Sequence, residues 1–484
     1  MVITTARKQR VRPSSPRARE RRAHRLLLAV CALFALTSLA LVPAGLRLGW
    51  DELVYASRFG PFAPDTGSVP FSAPRTRGVP LLLAPVAAWS DSVVLLRAWL
   101  LLLSTAALYL GFRPWLRAAP GRPEAAPVAA GLYGGLWIAL FYANAAMPNH
   151  YTAMGAAGAV GLFLHRAPTG RTWAGVAGGL ALATLMRPND GAAVAGPLLI
   201  AAALVPLWRS AARAGAVLAG TLAGFAPWAI EAYARFGGVR ERLDAASEVQ
   251  GGLRLTDSAL HQLTVIDGPL LCRPCEGDGV RTTALEWWLL LAVLVPLGLW
   301  SVRRLRRTAA GGWLAVAVGV SAALPYVLVV PYTAPRFLLP THALLAVPAA
   351  FGALAAVRAA RRSRAPELAL GTLGLVVAAH LAAQLSQASS NSRIQQSARG
   401  DWERVAAVLH ERGVRSPCLL RSNTSTIPLA YVAGCEPGVR GDGRRPSALV
   451  IRDARPPRWA GDWVRVPVPD TYARGWSVYL PPGS

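Results

Sequence analysis

Long apolar runs separated by short charged or proline-rich gaps fill most of this chain. The first, Leu26 to Leu46, follows a basic tail. Others extend from Ser92 to Phe112, Ala125 to Ala143, Tyr151 to Leu164, Thr172 to Leu185, Gly191 to Trp208, Ala214 to Ala234, Leu285 to Val302, Trp313 to Val330, Phe337 to Val357 and Leu368 to Leu385. Apolar stretches of roughly 17 to 25 residues cross a hydrocarbon core of about 30 Å as helices, so the pattern predicts about eleven transmembrane helices. Two runs are short or merge with neighbours, which widens the range to roughly ten to thirteen. A β-barrel would show weaker, alternating segments instead. Val79 to Trp89 is apolar but too short to span, and reads as a re-entrant or surface helix.

Beyond about Ser386 the pattern changes. Asp401 to Arg412 is helix-like, and Leu419, Ala448 to Arg452 and Trp463 to Val468 are strand-like, which predicts a small α/β domain. The expected architecture is an all-α polytopic membrane protein with this domain at its C-terminus. Residues 1–25 form a basic tail, residues 26–385 a transmembrane domain with outer loops over 47–90 and 235–284, and residues 386–484 the α/β domain.

Composition agrees with a bilayer protein, since 53% of the 484 residues are hydrophobic and only 16% are charged. The net charge of +26 would suggest nucleic acid, but the arginines cluster in short gaps between apolar runs, with no basic domain. Threading the runs alternately places Arg113, Arg117 and Arg122, then Arg166 and Arg171, Arg209 and Arg213, Arg303 to Arg307, and Arg358 to Arg364 on the side of the tail. The positive-inside rule makes that side cytoplasmic, with the N-terminus inside, the C-terminus outside and the chain multi-pass in the cell membrane. The first run is longer than a signal-peptide core and no clear small-residue cleavage site follows it, so it reads as an uncleaved first helix.

Cys31 lies inside the first run, whereas Cys272, Cys275, Cys418 and Cys435 fall on the outer side, where an oxidising compartment suits disulfides. Proximity favours Cys272 with Cys275 and Cys418 with Cys435 among the three pairings. Zinc is the competing reading, though the spacing matches known zinc sites poorly.

The first run ends at Trp50 and is followed at once by Asp51 and Glu52. Two adjacent acids at a membrane surface are compatible with an ordinary solvated loop, but their outer-side company is unusual. Arg75 and Arg77 stand in the same loop against the topological bias of arginine, and guanidinium groups bind phosphate through paired, charge-assisted hydrogen bonds. Arg187, in Arg187-Pro188-Asn189-Asp190, and Arg336, in Ala334-Pro335-Arg336-Phe337, occupy short outer turns. Arg187 with Asp190 is also readable as a local salt bridge. Asn149 and His150 add polar groups at the same level, the histidine as base, ligand or interfacial residue. Arg97 and Asp91 are a further candidate pair.

The acidic pair after the first helix, the Pro/Arg/Gly-rich outer loop, the Met147-Pro148-Asn149 turn, the Arg187-Pro188 turn and Ala334-Pro335-Arg336-Phe337-Leu338-Leu339-Pro340 together resemble the GT-C superfamily of polyprenyl-phosphate-dependent glycosyltransferases. The resemblance is to its protein O-mannosyltransferase, aminoarabinose-transferase and actinobacterial cell-wall types, and covers about the first 385 residues. It implies Asp51 as catalytic base with Glu52 as the next candidate; Arg75, Arg77, Arg187 and Arg336 are the candidates for binding the donor phosphate, and a single displacement would invert the anomeric carbon. The implied partners are a polyprenyl-phosphate-linked sugar and an extracytoplasmic glycan, lipid or protein acceptor. Some relatives use a divalent metal; no second outer acid cluster is evident here, so no cofactor is assigned. The alternative is a non-enzymatic lipid-linked-sugar flippase, which should show internal repeats and midplane charges. Neither is seen, and the charges within runs, such as Asp190, Glu231 and Glu286, lie near outer ends.

Overall fold

The computed structural model describes residues 15–63, 69–119, 121–256, 258–268, 270–271, 282–438 and 443–482. In chain order the helices are α1 (Pro16–Leu41), α2 (Trp50–Ala56), α3 (Gly78–Ala87), α4 (Val93–Phe112), α5 (Trp115–Ala118), α6 (Ala125–Gly134), α7 (Trp137–Tyr142), α8 (Asn149–Phe163) and α9 (Gly170–Met186). They continue as α10 (Pro188–Leu204), α11 (Ala211–Phe236), α12 (Val239–Val249), α13 (Ala259–Thr264), α14 (Thr282–Val302), α15 (Arg306–Leu328), α16 (Leu339–Ala360) and α17 (Pro366–Glu411). The short run Val79 to Trp89, expected as a re-entrant or surface helix, forms α3, which ends at Ala87.

Seven of the described helices, α1, α4, α11, α14, α15, α16 and α17, are long and apolar enough to cross a membrane. The difference from about eleven has a physical origin. The run Ala125 to Ala143 is broken at Gly135 and Leu136 into α6 and α7, while α8, α9 and α10 have 15, 17 and 17 residues. At 1.5 Å per residue, 17 residues cover about 25 Å, the short end of what crosses a hydrocarbon core. Of these shorter helices α8 packs inside the bundle, whereas α10 keeps exposed apolar positions such as Ile200 and Leu204. Nearly every residue of α8 is buried, and Gly155 on α8 faces Gly179 on α9 so closely that an added Cβ would lie 2.5 or 2.8 Å from the opposite carbonyl. Small residues that let backbones approach are how helices associate without a hydrophobic driving force.

Helix α17 has 46 residues and runs unbroken through Ser386, from its apolar first half to the buried Val405 and Leu409 of the C-terminal core. It is followed by β1 (Leu419–Ser422), α18 (Thr426–Ala433), β2 (Glu436–Pro437), β3 (Ala448–Arg452), β4 (Val464–Pro467) and β5 (Trp476–Leu480), a five-stranded sheet of order β2-β1-β3-β5-β4. β1 pairs in parallel with β2 and β3, while β5 runs antiparallel to β3 and β4. Leu420, Val450 and Val478 cover the end of α17 and Leu429, Ala430 and Ala433 of α18. Cys418 and Cys435 form a disulfide joining the approach to β1 to the end of α18. Cys272 and Cys275 lie outside the described residues.

Candidate active site

The two acids of α2 point to different places. Glu52 is buried, its side chain 5% exposed, while that of Asp51 is 34% exposed and opens onto a cavity of about 630 Å³. Adjacent residues on one short helix are about 100° apart around its axis, so one faces inward when the other faces the opening.

Glu52 is saturated. Its Oε2 accepts from the Gly49 backbone N–H at 2.7 Å, from Arg97 at 3.2 Å and from Arg399 at 3.1 Å, and its Oε1 accepts from the Ala146 N–H at 3.0 Å. Gly49 leaves room for this packing, because a Cβ there would sit 2.8 Å from an Arg399 guanidinium nitrogen. Arg97 also donates to the Leu46, Arg47 and Asn144 carbonyls. The candidate Arg97–Asp91 pair is thereby corrected: Arg97 points inward, where a buried guanidinium needs acceptors on several sides, and Glu52 is its carboxylate. The Glu52 node fastens the end of α1, α2, α4, the turn before α8 and α17. Burial would raise the Glu52 carboxyl, but Arg97, Arg399 and the two N–H donors outweigh it and hold it at about 2.

Asp51 meets two other arginines. Its Oδ1 accepts from Arg75 at 2.6 Å and its Oδ2 from Arg336 at 3.3 Å. Arg336, in the 3₁₀ turn Pro335–Leu338 that leads into α16, also donates to the Leu270 carbonyl at 2.8 Å and the Tyr142 hydroxyl at 3.3 Å. Arg187, in the break between α9 and α10, pairs with Asp190 at 3.3 Å. Its guanidinium carbon lies 5.0 Å from the Phe337 ring centroid, and that of Arg336 lies 5.4 Å from the same ring, so one aromatic carries two cations on the cavity wall. Burial pushes the Asp51 carboxyl up, yet Arg75 and Arg336, with Arg187 further off, hold it below its usual value.

The cavity therefore joins Asp51, Arg75, Arg187 and Arg336, residues separated by up to 285 positions in sequence. Phe225 and Trp228 of α11, and Leu243, Ala246 and Val249 of α12, supply an apolar side, and Ile427 of α18 brings the C-terminal domain to its edge. Tyr55 and Tyr332 also line it, neither anticipated from the sequence.

Other candidates lie elsewhere. Arg77 is not among the cavity-lining residues; it pairs with Glu231, which also binds Arg235 and the fully buried Arg242. His150 is buried, with its Nε2 2.9 Å from the Ser104 carbonyl and its Nδ1 3.1 Å from the Tyr133 hydroxyl, so the ring donates to the former and accepts from the latter. Asn149 is likewise buried at the start of α8, and Asp190 accepts from the Tyr326 hydroxyl beneath Arg187. Among the described residues no group of three or more histidine, cysteine or acidic side chains is arranged to hold a metal ion.

The crystal structure of ArnT from Cupriavidus metallidurans bound to undecaprenyl phosphate is similar to this chain, with a TM-score of 0.60 over 93% of this chain and 97% of that one at 12% identity. In the apo state the TM-score is 0.61, over 94% and 97%, at 13% identity. This chain has the GT-C fold. The GT-C scaffold is also shared with the archaeal oligosaccharyltransferase AglB from Archaeoglobus fulgidus, in complex with an inhibitory peptide and a dolichol-phosphate. There the TM-score is 0.50 at 14% identity, covering 84% of this chain and 63% of AglB. No family model and no curated protein matches the sequence. The GT-C scaffold and the seven apolar helices describe a multi-pass membrane protein.

Proposed function

We propose that the chain is a glycosyltransferase of the cell membrane that moves a hexosyl or pentosyl unit from a polyprenyl-phosphate donor to an extracytoplasmic glycan, lipid or protein acceptor. One observation carries this reading: an accessible carboxylate, Asp51, held between two guanidiniums in a cavity with one cationic and one apolar side. A sugar on a lipid phosphate already has its leaving group. The enzyme must take a proton from the acceptor and stabilise the departing phosphate. Asp51 suits the first task and Arg75, Arg187 and Arg336 the second, while the side formed by Phe225, Trp228 and Leu243 suits an isoprenoid chain. The GT-C neighbours whose structures hold undecaprenyl phosphate or dolichol-phosphate support the donor class. A single displacement with the base on one face of the sugar and the phosphate on the other inverts the anomeric carbon.

A carboxylate held below its usual value is a weak base, which points to a role for the donor itself. The donor phosphate competes with Asp51 for Arg75 and Arg336. Once they turn to the phosphate, Asp51 loses its counter-charges and becomes a stronger proton acceptor, so the base is made ready only when donor is bound. Asp51→Asn removes the proton acceptor while preserving shape. In membranes supplied with a polyprenyl-phosphate sugar, transfer should fall by about 10²- to 10⁴-fold with expression intact. Transfer at the wild-type rate would remove Asp51 from the base role.

A further inference from the structure

A larger cavity, of about 940 Å³, lies at the opposite end of the bundle. It is lined by the start of α1, the end of α4 with α5, and the turn from α8 into α9. Arg21 beside it and Leu41 near the Asp51 end are on one continuous helix, and at 1.5 Å per residue about 30 Å separates them, a full hydrocarbon thickness. The Asp51 chemistry makes no use of this second cavity.

Its lining is predominantly cationic. Arg17 and Arg21 of α1, Arg113 after α4, Arg117 of α5 and Arg171 of α9 converge on it, with Glu20 as its single acid. Arg17, Arg21 and His24 recur at four and then three residues, which places them on one face of α1. Only Arg117 among these five arginines forms an ion pair among the described residues, with Glu20 at 2.7 Å. Arg113 lies over the Tyr109 ring at 5.8 Å, a contact that leaves its N–H edge free to donate. A topological signal requires only that arginines occur at this membrane face. It does not require them to gather around one concave space, where their mutual repulsion is unfavourable unless an anion fills it. Leu110, 58% exposed, and the partly buried Leu162 form the apolar part of the lining, so the cavity offers cations above and hydrocarbon contact below.

We propose that this cavity binds the phosphate headgroup of an anionic phospholipid from the leaflet on the tail side, with the acyl chains lying along Leu110. A basic residue near an anionic membrane surface contributes about fivefold in affinity, so removing three should weaken binding on the order of a hundredfold.

The test uses purified full-length protein in mixed micelles, with retained lipid counted by native mass spectrometry. Three proteins are compared: wild type, the triple variant R21Q/R113Q/R171Q, and the charge-matched control R361Q/R362Q/R364Q, whose arginines lie at the same membrane face outside the cavity. All six substituted residues are exposed, and gel filtration verifies folding. Wild type and control should retain phosphatidylglycerol in preference to phosphatidylcholine, and the cavity variant should lose that preference. Equal retention by all three proteins, or equal loss in both variants, overturns the proposal. In a second arm, inorganic phosphate added in large excess over the lipid should leave phosphatidylglycerol bound. Its displacement would assign the site to a free phosphate and overturn the lipid assignment.

Discussion

Replacing Glu52 with glutamine separates a structural acid from a catalytic one. The carboxylate accepts four hydrogen bonds, two from backbone N–H groups and two from guanidiniums, and its side chain and those of Arg97 and Arg399 are 5%, 1% and 8% exposed. Glutamine keeps the shape but has one acceptor oxygen and turns an N–H₂ donor toward donors, leaving two buried cations without a counter-charge. Removing one partner of a buried ion pair costs about 3–5 kcal/mol, and the low exposure of all three groups places this one in that class. The assay is the fraction of protein that stays monodisperse in detergent after heating, measured beside sugar transfer at a temperature where the variant remains folded. Glu52→Gln should melt several degrees below wild type yet transfer within about tenfold of it, and the Glu52→Gln/Arg399→Gln double variant should lose less than the two single losses together. The acid limb of stability follows the same node. Because folding lowers the Glu52 carboxyl from 4.5 to about 2, its contribution is complete above pH 4.5 and is lost as pH falls toward 2. A Glu52→Gln protein that melts like wild type but has lost transfer would refute the reasoning and move the base to Glu52.

Arg336→Gln should raise the KM for donor by about tenfold or more, since a charge-assisted contact to phosphate is worth about 1.5–3 kcal/mol, whereas Arg77→Gln should leave donor KM nearly unchanged because Arg77 is engaged with Glu231 away from the cavity. Initial rates against donor concentration distinguish the two. If the donor phosphate draws the arginines from Asp51, the acid limb of kcat, which reports the donor complex, should lie at higher pH than that of kcat/KM, which reports the free enzyme. Coincident limbs would mean that Asp51 keeps its counter-charges through turnover. Replacing Cys418 and Cys435 with serine should destabilise the C-terminal sheet by about 3 kcal/mol, read as faster limited proteolysis after α17 in the full-length protein.

The helical part was legible because apolar runs report the bilayer directly, and each of the eleven expected runs corresponds to a single or broken helix. What hydropathy does not encode is which apolar runs are lipid-facing and which are enclosed by other helices. The glycine contact between α8 and α9 replaces lipid with protein around a helix of 15 residues. β5 is not among the expected strands: Trp476–Leu480 is a run of five residues, and its polar Ser477 is buried together with the rest, so the sheet covers both of its faces. His150 illustrates the same limit for polar groups: its position beside a turn suggested an interface, but Ser104 and Tyr133, from two other helices, satisfy it inside the bundle.

The adjacent acids show most clearly where sequence reasoning stops. Topology and arginine placement identified the pair and the cations, but nothing in Trp50-Asp51-Glu52-Leu53 indicates which carboxylate faces the cavity. That distinction is made from a distance, by Arg97 on α4 and Arg399 on α17 for Glu52 and by Arg75 and Arg336 for Asp51. One acid is fully engaged so that the other is held in register at the cavity wall. Fixing α2 through its buried face aims Asp51 without placing any further constraint on its own side chain. On the proposed function Asp51 would then give up its guanidinium partners to a donor phosphate, which Glu52, enclosed by four donors and out of reach of the cavity, could not.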